Sequence, residues 1–145
     1  MRVVSKITAA EAPSQQVYTW LSNLENLRPL VENLRSRAPQ LPMGIQVDRI
    51  DLTPDSVTVS LGGKGEFTLS QVDAQPFKLL KYASTQGGKD VCLWVQLLEK
   101  TPGVTHLRLT MELEVPFFIR KMVEGKIKEA LDHAADVLPR LPYNG

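Results

Sequence analysis

The amino-acid sequence predicts an α+β protein in which one curved antiparallel sheet packs against a long C-terminal helix. Through the middle of the chain, turn-forming residues recur at short intervals, and the runs between them alternate apolar with polar residues. Such alternation between tight turns is typical of an antiparallel meander with one dry face. Residues 116–138 then carry a long apolar stripe at helical spacing, which needs a dry surface to cover.

The N-terminal part of the chain predicts one strand followed by two short helices. Residues 2–9 are rich in β-branched side chains, which favour a strand. Ser14 stands where it would cap the first helix. A second short helix is expected from about residue 25 to residue 34, and the proline-interrupted stretch 35–44 is expected to form a crossing loop.

Six strands are expected between this loop and the C-terminal helix. Five clusters of turn-forming residues separate them, at positions 53–56, 62–65, 73–76, 86–89 and 101–103. The strand at 90–98 is apolar on both faces, so we expect it to lie centrally in the sheet or to be covered on both sides. The last strand, 107–115, alternates regularly between apolar and polar residues.

The chain passes from its last strand into the long helix with almost no loop. Pro116 cannot donate to a strand ladder and is well suited to the first turn of a helix, where its missing N–H costs nothing. Pro139 and Pro142 prevent the helix from continuing far beyond Leu138. The apolar stripe consists of Ile119, Val123, Ile127, Ala130, Ala134, Val137 and Leu138.

Composition indicates one soluble globular domain, residues 1–145, and excludes several classes of protein. The formal net charge is +1 and no basic stripe stands out, which argues against nucleic-acid binding. No apolar run is long enough for a signal peptide or a bilayer span, so integral membrane association is not expected. The single cysteine, Cys92, fits a reducing compartment, and we expect a cytoplasmic protein.

Four segments carry a resemblance to a known superfamily. They are VYTWLSNLENL at 17–27, LWVQLLE at 93–99, VPFF at 115–118 and AADVL at 134–138. Together they resemble the START-related (SRPBCC) superfamily, which includes polyketide cyclase-like and lipid-transfer proteins, and within it a small bacterial subgroup. The resemblance covers essentially the whole chain and implies the helix-grip fold, with a cavity for an apolar small molecule between the sheet and the long helix. It does not imply one reaction, because the superfamily contains carriers, sensors, cyclases and subunits of larger enzymes.

No motif predicts a cofactor, a metal site or a catalytic group. The glycine-rich stretch 62–65 is followed by a strand and lacks the Lys-Ser/Thr ending of a phosphate-binding loop, so a hairpin turn is favoured. Glu129, His133 and Asp136 stand at helical spacing, but a solvated helix face is favoured because no second histidine is near. His106 belongs to the polar face of the last strand.

The remaining signal is apolar and aromatic, and it predicts residues that line a ligand cavity. The candidates are Phe67, Tyr82, Trp94, Met111, Phe118 and Met122. For any one of them, plain core packing is the commoner role. Tyr82 and Trp94 weigh more, because a buried hydroxyl or indole N–H needs a hydrogen-bond partner that a ligand can supply. The face that Trp94 takes is left open, since an outward Trp94 would suit a homodimer contact instead.

These observations favour a carrier or sensor that binds a small apolar ligand, either a lipid or an aromatic, polyketide-like metabolite. An enzyme of the cyclase or hydratase kind is the alternative, and an inward-facing Asp90, Glu66 or His106 would favour it. A third alternative is an interaction domain whose cavity is filled by its own side chains. The sequence identifies neither the ligand nor the oligomeric state.

Overall fold

One antiparallel sheet of eight strands is formed by the described residues of this computed structural model, which are 1–29, 31–32, 49–60, 66–84 and 91–143. The strands are β1 (Arg2–Val4), β2 (Thr8–Ala10), β3 (Arg49–Thr53), β4 (Ser56–Ser60), β5 (Glu66–Gln75), β6 (Leu79–Ser84), β7 (Val91–Thr101) and β8 (Val104–Leu113). Their order in the sheet is β1-β8-β7-β6-β5-β4-β3, and β2 also pairs with β8. The predicted meander is therefore confirmed, with β7 near the centre of the sheet.

Helices flank the six consecutive strands at both ends of the chain, as predicted. Helix α1 (Ser14–Leu21) is followed by a 3-10 turn, Leu24–Leu27, and residues 28–29 and 31–32 are also helical. A 3-10 turn, Phe117–Ile119, leads into the long helix α2 (Arg120–Val137), and a further 3-10 turn, Leu138–Arg140, ends it. None of the described helices combines the length and apolarity that crossing a membrane requires.

Two predicted boundaries differ from the structure. Ser14 is the first residue of α1 and does not cap it; the carboxylate of Glu99 accepts its backbone N–H at 2.5 Å and that of Gly103 at 3.1 Å. These backbone hydrogen bonds hold the pKa of Glu99 below its usual value. The turn expected at 73–76 lies at 76–78, because β5 continues to Gln75. The predicted turns at 62–65 and 86–89 and the loop at 35–44 fall outside the described residues.

The first predicted strand is split by a bulge. Ser5 pairs with Leu109, donating its backbone N–H to the Leu109 carbonyl at 2.8 Å, whereas Thr8 pairs with Leu107. Lys6 and Ile7 therefore lie together opposite one residue, Arg108, which stands between Leu107 and Leu109. Two residues opposite one define a β-bulge, which bends the strand and turns out the side chains that it carries.

The two faces of the sheet differ in what covers them. Helices α1 and α2 cover one face, which we call the inner face; the other is the outer face. The largest fully buried side chains on or against the inner face are Val17, Leu80, Thr105 and Leu107. Around them Leu21, Leu97, Leu131 and Tyr143 complete a core at the end of the sheet nearest α1.

Helix α2 rests on the sheet along its C-terminal half. Leu131 and Ala135 are buried there, and among the strands α2 packs chiefly on β1 and β8. The bulge supplies polar anchors: the Lys6 backbone N–H donates to Asp132 Oδ1 at 2.7 Å, and Thr8 Oγ1 donates to the Ala135 carbonyl at 2.6 Å. The Lys6 hydrogen bond is the main cause that lowers the pKa of Asp132. At the other end of the segment Phe117 and Phe118 are exposed.

Gly125 gives a direct test of α2. It lies inside the helix, and a Cβ built on it would meet no atom within 4 Å. Gly125→Ala should therefore raise the free energy of unfolding by about 0.5–1 kcal/mol, measured by urea denaturation, because alanine has the higher helix propensity. Gly103→Ala is the matched control: its φ of +83° should make the same substitution destabilising by about 1 kcal/mol or more. Equal effects of the two substitutions would contradict the helix at Gly125.

Candidate ligand-binding site

Strands β6, β7 and β8 bring predicted site residues together on the inner face. In the sheet register Tyr82 lies opposite Leu93, and Leu93 lies opposite Met111, so the three form one row across neighbouring strands. Phe67 lies on the same face of β5, opposite Val59. The predicted Phe67, Tyr82 and Met111 thus share one surface, and each packs on or belongs to the hydrophobic core cluster.

Ser84 adds a polar group to this surface that sequence reasoning did not find. It stands two residues after Tyr82, so its side chain lies on the same face of β6, opposite Val91. Its side chain is only 3% exposed, yet among the described residues Ser84 Oγ has no hydrogen-bond partner. Nothing in the sequence around Ser84 predicts that its side chain is buried. The pairing of β6 with β7 in the structure shows it.

Tyr82 supplies a second hydroxyl beside Ser84. The residue is 4% exposed, although its hydroxyl oxygen is not among the fully buried polar atoms that lack a partner in the described residues. Burial, with a smaller contribution from nearby Tyr18, raises the pKa of Tyr82 to about 12. At neutral pH this phenol is therefore protonated and able to donate a hydrogen bond.

Along β7 and β8 the inner-face side chains become less buried towards the end where α2 begins, although Ser84 itself is buried. Ser84, Val91 and Leu113 form a row there, and Leu113 is the last residue of β8. Leu93 and Met111, in the next row, are half-buried, whereas Leu97 and Leu107 at the far end are buried. The two hydroxyls therefore lie near the rim of an otherwise apolar surface.

Phe118 and Met122, predicted to line the cavity, lie at this rim with their side chains exposed. Phe118 is 77% exposed, Met122 is 49% exposed, and the neighbouring Phe117 is 83% exposed. The rings of Phe117 and Phe118 pack edge to face, with centroids 6.4 Å apart. These side chains are exposed and do not pack in the core, so their role in binding stays a prediction.

Trp94 lies on the outer face, away from the other candidates. It alternates with Leu93 and Val95, whose side chains point inward. Lys81 Nζ lies 5.2 Å and Arg2 Cζ 5.8 Å from the centroid of the indole ring, which is cation–π geometry. The structure therefore takes the outward arrangement that the sequence left open for Trp94.

Two of the groups that would favour an enzyme, Glu66 and His106, lie on the outer face. Glu66 lies opposite Ser60 and alternates with the inward Phe67, and His106 alternates with the inward Leu107. Asp90 lies outside the described residues. Within the described ranges, no three His, Cys, Asp or Glu side chains stand close enough to hold a metal ion. What the arrangement offers chemically is an apolar surface with two neutral hydrogen-bonding hydroxyls.

Comparison with known proteins supports the fold. No protein-family model and no curated protein matches this sequence. Norcoclaurine synthase from Thalictrum flavum, solved in complex with dopamine and hydroxybenzaldehyde, has a TM-score of 0.66 at 16% identity, covering 97% of this chain and 85% of its own. A START superfamily protein from Mycobacterium smegmatis has a TM-score of 0.63 at 17% identity, covering 97% and 96%. A protein from Mesorhizobium loti gives 0.62 at 18% identity, covering 97% and 96%. The fold expected from the START-related resemblance is confirmed.

The raised pKa of Tyr82 predicts how stability depends on pH. The tyrosine titrates near 10.0 in the unfolded chain and near 12 in the fold, so above pH 10 the unfolded chain loses its proton first. Stability that is complete below pH 10 should fall as the pH rises towards 12. Between pH 9 and pH 11, wild type should lose on the order of 1 kcal/mol more than Tyr82→Phe in urea denaturation. Identical losses would show that the Tyr82 hydroxyl is not buried.

Proposed function

We propose that this protein, which has the helix-grip fold of START-related proteins, binds a small apolar molecule that carries at least one oxygen. The ligand lies between the inner face of the sheet and the start of helix α2, and the protein acts as its carrier or sensor. The observation that carries the proposal is the buried Ser84 hydroxyl, which has no partner among the described residues.

A buried hydroxyl without a partner is costly, and this cost favours a ligand that supplies one. An unsatisfied buried polar group destabilises a protein by roughly 1–3 kcal/mol. Ser84 and Tyr82 stand on the same face of one strand, so a single carbonyl or hydroxyl oxygen is a suitable partner for either. Because the pKa of Tyr82 is raised to about 12, its hydroxyl is available as a donor at physiological pH.

The apolar lining supplies most of the expected affinity. Phe67, Leu93 and Met111 share the inner face with the two hydroxyls and have half-buried aromatic, branched and thioether side chains. A ligand that buries ~300 Å² of apolar surface on binding gains roughly 7 kcal/mol of binding free energy at ~25 cal/mol per Å². Association costs reduce this by several kcal/mol, so we expect affinity near micromolar.

The exposed residues at the start of α2 are suited to close over a bound molecule. Phe117, Phe118 and Met122 stand at the rim nearest the two hydroxyls, and their exposed apolar surface would be buried on contact with a ligand. Met122 can adapt to varied shapes through its flexible side chain. Trp94 has no part in this proposal because it lies on the outer face.

An aromatic ligand with a carbonyl or hydroxyl group is the chemistry that we favour over a plain hydrocarbon chain. The two hydroxyls favour an oxygen acceptor, and Phe67 favours a ring partner. The norcoclaurine synthase of similar fold was solved with dopamine and hydroxybenzaldehyde, both small oxygen-bearing aromatic molecules. This likeness supports the choice of ligand class and carries no reaction over to this chain.

The proposal is tested by a binding panel with matched variants. Hydroxylated and carbonyl-bearing aromatics, fatty acids and sterols are screened by thermal shift, and hits are measured by calorimetry. Ser84→Ala and Tyr82→Phe should each weaken an oxygen-bearing hit about tenfold, since each removes one buried hydrogen bond. Neither variant should affect a hydrocarbon analogue that lacks the oxygen.

Ser70→Ala is the control, because Ser70 lies opposite Ala83 on the outer face of the neighbouring strand and should leave affinity unchanged. A further variant, Met122→Trp, tests the start of α2. It should block ligand binding with little change in stability, because Met122 is half-exposed. Equal affinity of wild type and both hydroxyl variants would reject the proposed site.

A further inference from the structure

A groove lies on the outer face of the sheet, opposite the proposed ligand site. Its volume is about 510 Å³. We call it the outer groove and define it by Ile7, Lys78, Leu98, Lys100, His106 and Arg108, which line it. Leu98 lies opposite His106, and both alternate with Leu97 and Leu107, which also border the groove but are buried in the core.

The sheet register explains why residues distant in sequence meet in the outer groove. Gln75, Leu79, Gln96 and Arg108 lie opposite one another in one row that crosses β5, β6, β7 and β8. Arg108 Nε donates to Gln96 Oε1 at 2.8 Å along this row. The row forms the floor of the groove.

The charge of the outer groove is one-sided. Lys78, Lys100 and Arg108 line it, and no carboxylate is among its lining residues. Neither Lys78 nor Lys100 forms an ion pair with any residue in the described ranges. Cations gathered without a counter-charge create a local positive potential that favours an anion.

A buried nitrogen also lacks a partner there. His106 Nδ1 is buried and, among the described residues, makes no hydrogen bond. Together with Ser84 Oγ it is one of the two buried side-chain polar atoms in the described residues for which this holds. A ligand group that reaches into the groove beside His106 can satisfy it.

Apolar side chains complete the outer groove. Ile7 is 60% exposed and Leu98 is 54% exposed, and both line the groove. Ile7 is turned out because it belongs to the bulge opposite Arg108. Exposed apolar surface beside unpaired cations is the surface that an amphipathic anion covers best.

We propose that the outer groove binds a small amphipathic organic anion, with a carboxylate among Lys78, Lys100 and Arg108 and an apolar tail against Ile7 and Leu98. The volume of the groove is within the range of about 300–1,000 Å³ that is usual for small-molecule sites. The proposal does not rest on the function proposed for the inner face, because the two sites use opposite faces of the sheet.

Octanoate is the probe, and 1-octanol is its neutral match with the same chain length. In protein labelled with ¹³C at the isoleucine methyl groups, octanoate should shift the Ile7 methyl signal saturably, and octanol should bind at least about tenfold more weakly. Added salt should weaken octanoate binding, because it screens exposed charges. The Ile127 methyl, which packs against the core on the inner face, reports separately on the other site.

Lys78→Gln combined with Lys100→Gln should weaken octanoate binding about threefold to tenfold, as expected for two exposed charges. Lys121→Gln, an exposed lysine of α2, is the matched control and should leave binding unchanged. Unchanged signals of the other methyl groups verify that the double variant is folded.

Three outcomes would overturn the proposal. The first is an Ile7 methyl that does not shift, or shifts equally with octanol. The second is a response confined to Ile127, which would support the inner-face site and reject the outer groove. The third is an acidic, leucine-bearing peptide that shifts the Ile7 signal at far lower concentration than octanoate, which would assign the groove to a protein partner.

Discussion

The anchoring of helix α2 on the bulge of the first strand is the interaction on which both proposed sites depend. The bulge presents the Lys6 backbone N–H to Asp132 and the Thr8 hydroxyl to the Ala135 carbonyl, while Leu131 and Ala135 bury apolar surface beside them. These contacts hold only the C-terminal half of α2 against the sheet. Phe117, Phe118 and Met122 at its start are therefore exposed, and Leu93 and Met111 on the inner face are only half-buried. The same bulge turns Ile7 outward to form one wall of the outer groove.

The alternation of side chains along each strand gives the sheet two chemically different surfaces. The inner face is apolar, with the Tyr82 and Ser84 hydroxyls as isolated polar groups near its rim. The outer face carries Lys78, Lys100 and Arg108 around exposed Ile7 and Leu98. A neutral, oxygen-bearing apolar molecule suits the first surface, and an amphipathic anion suits the second, because each ligand matches the polar groups that lack partners. The two proposed sites would therefore use different side chains of one sheet.

The order of elements, the fold class and the position of the last strands were predictable from the sequence, because alternation, turn residues and the stripe of α2 depend on local spacing. The turns at Pro54–Asp55 and Pro102–Gly103 follow the same logic. Which residues of α2 contact the sheet was not predictable: the predicted stripe included Ala130, which is exposed, and left out Leu131 and Ala135, which are buried. Phe118 and Met122, predicted to line the cavity, are exposed. Ser84 could not be found from the sequence because its burial depends on the pairing of β6 with β7. The outer groove could not be found because its floor is a row of residues from four different strands.

The central claim is that the inner face holds a small molecule, and native mass spectrometry of the protein purified from its own host tests it most directly. The account predicts a co-purifying, oxygen-bearing apolar molecule in near-stoichiometric amount, released on denaturation and identified after extraction. A mass that corresponds to the polypeptide alone, together with no thermal shift across the aromatic, fatty-acid and sterol panel, would contradict it. That result would instead indicate an inner face filled by the protein's own side chains.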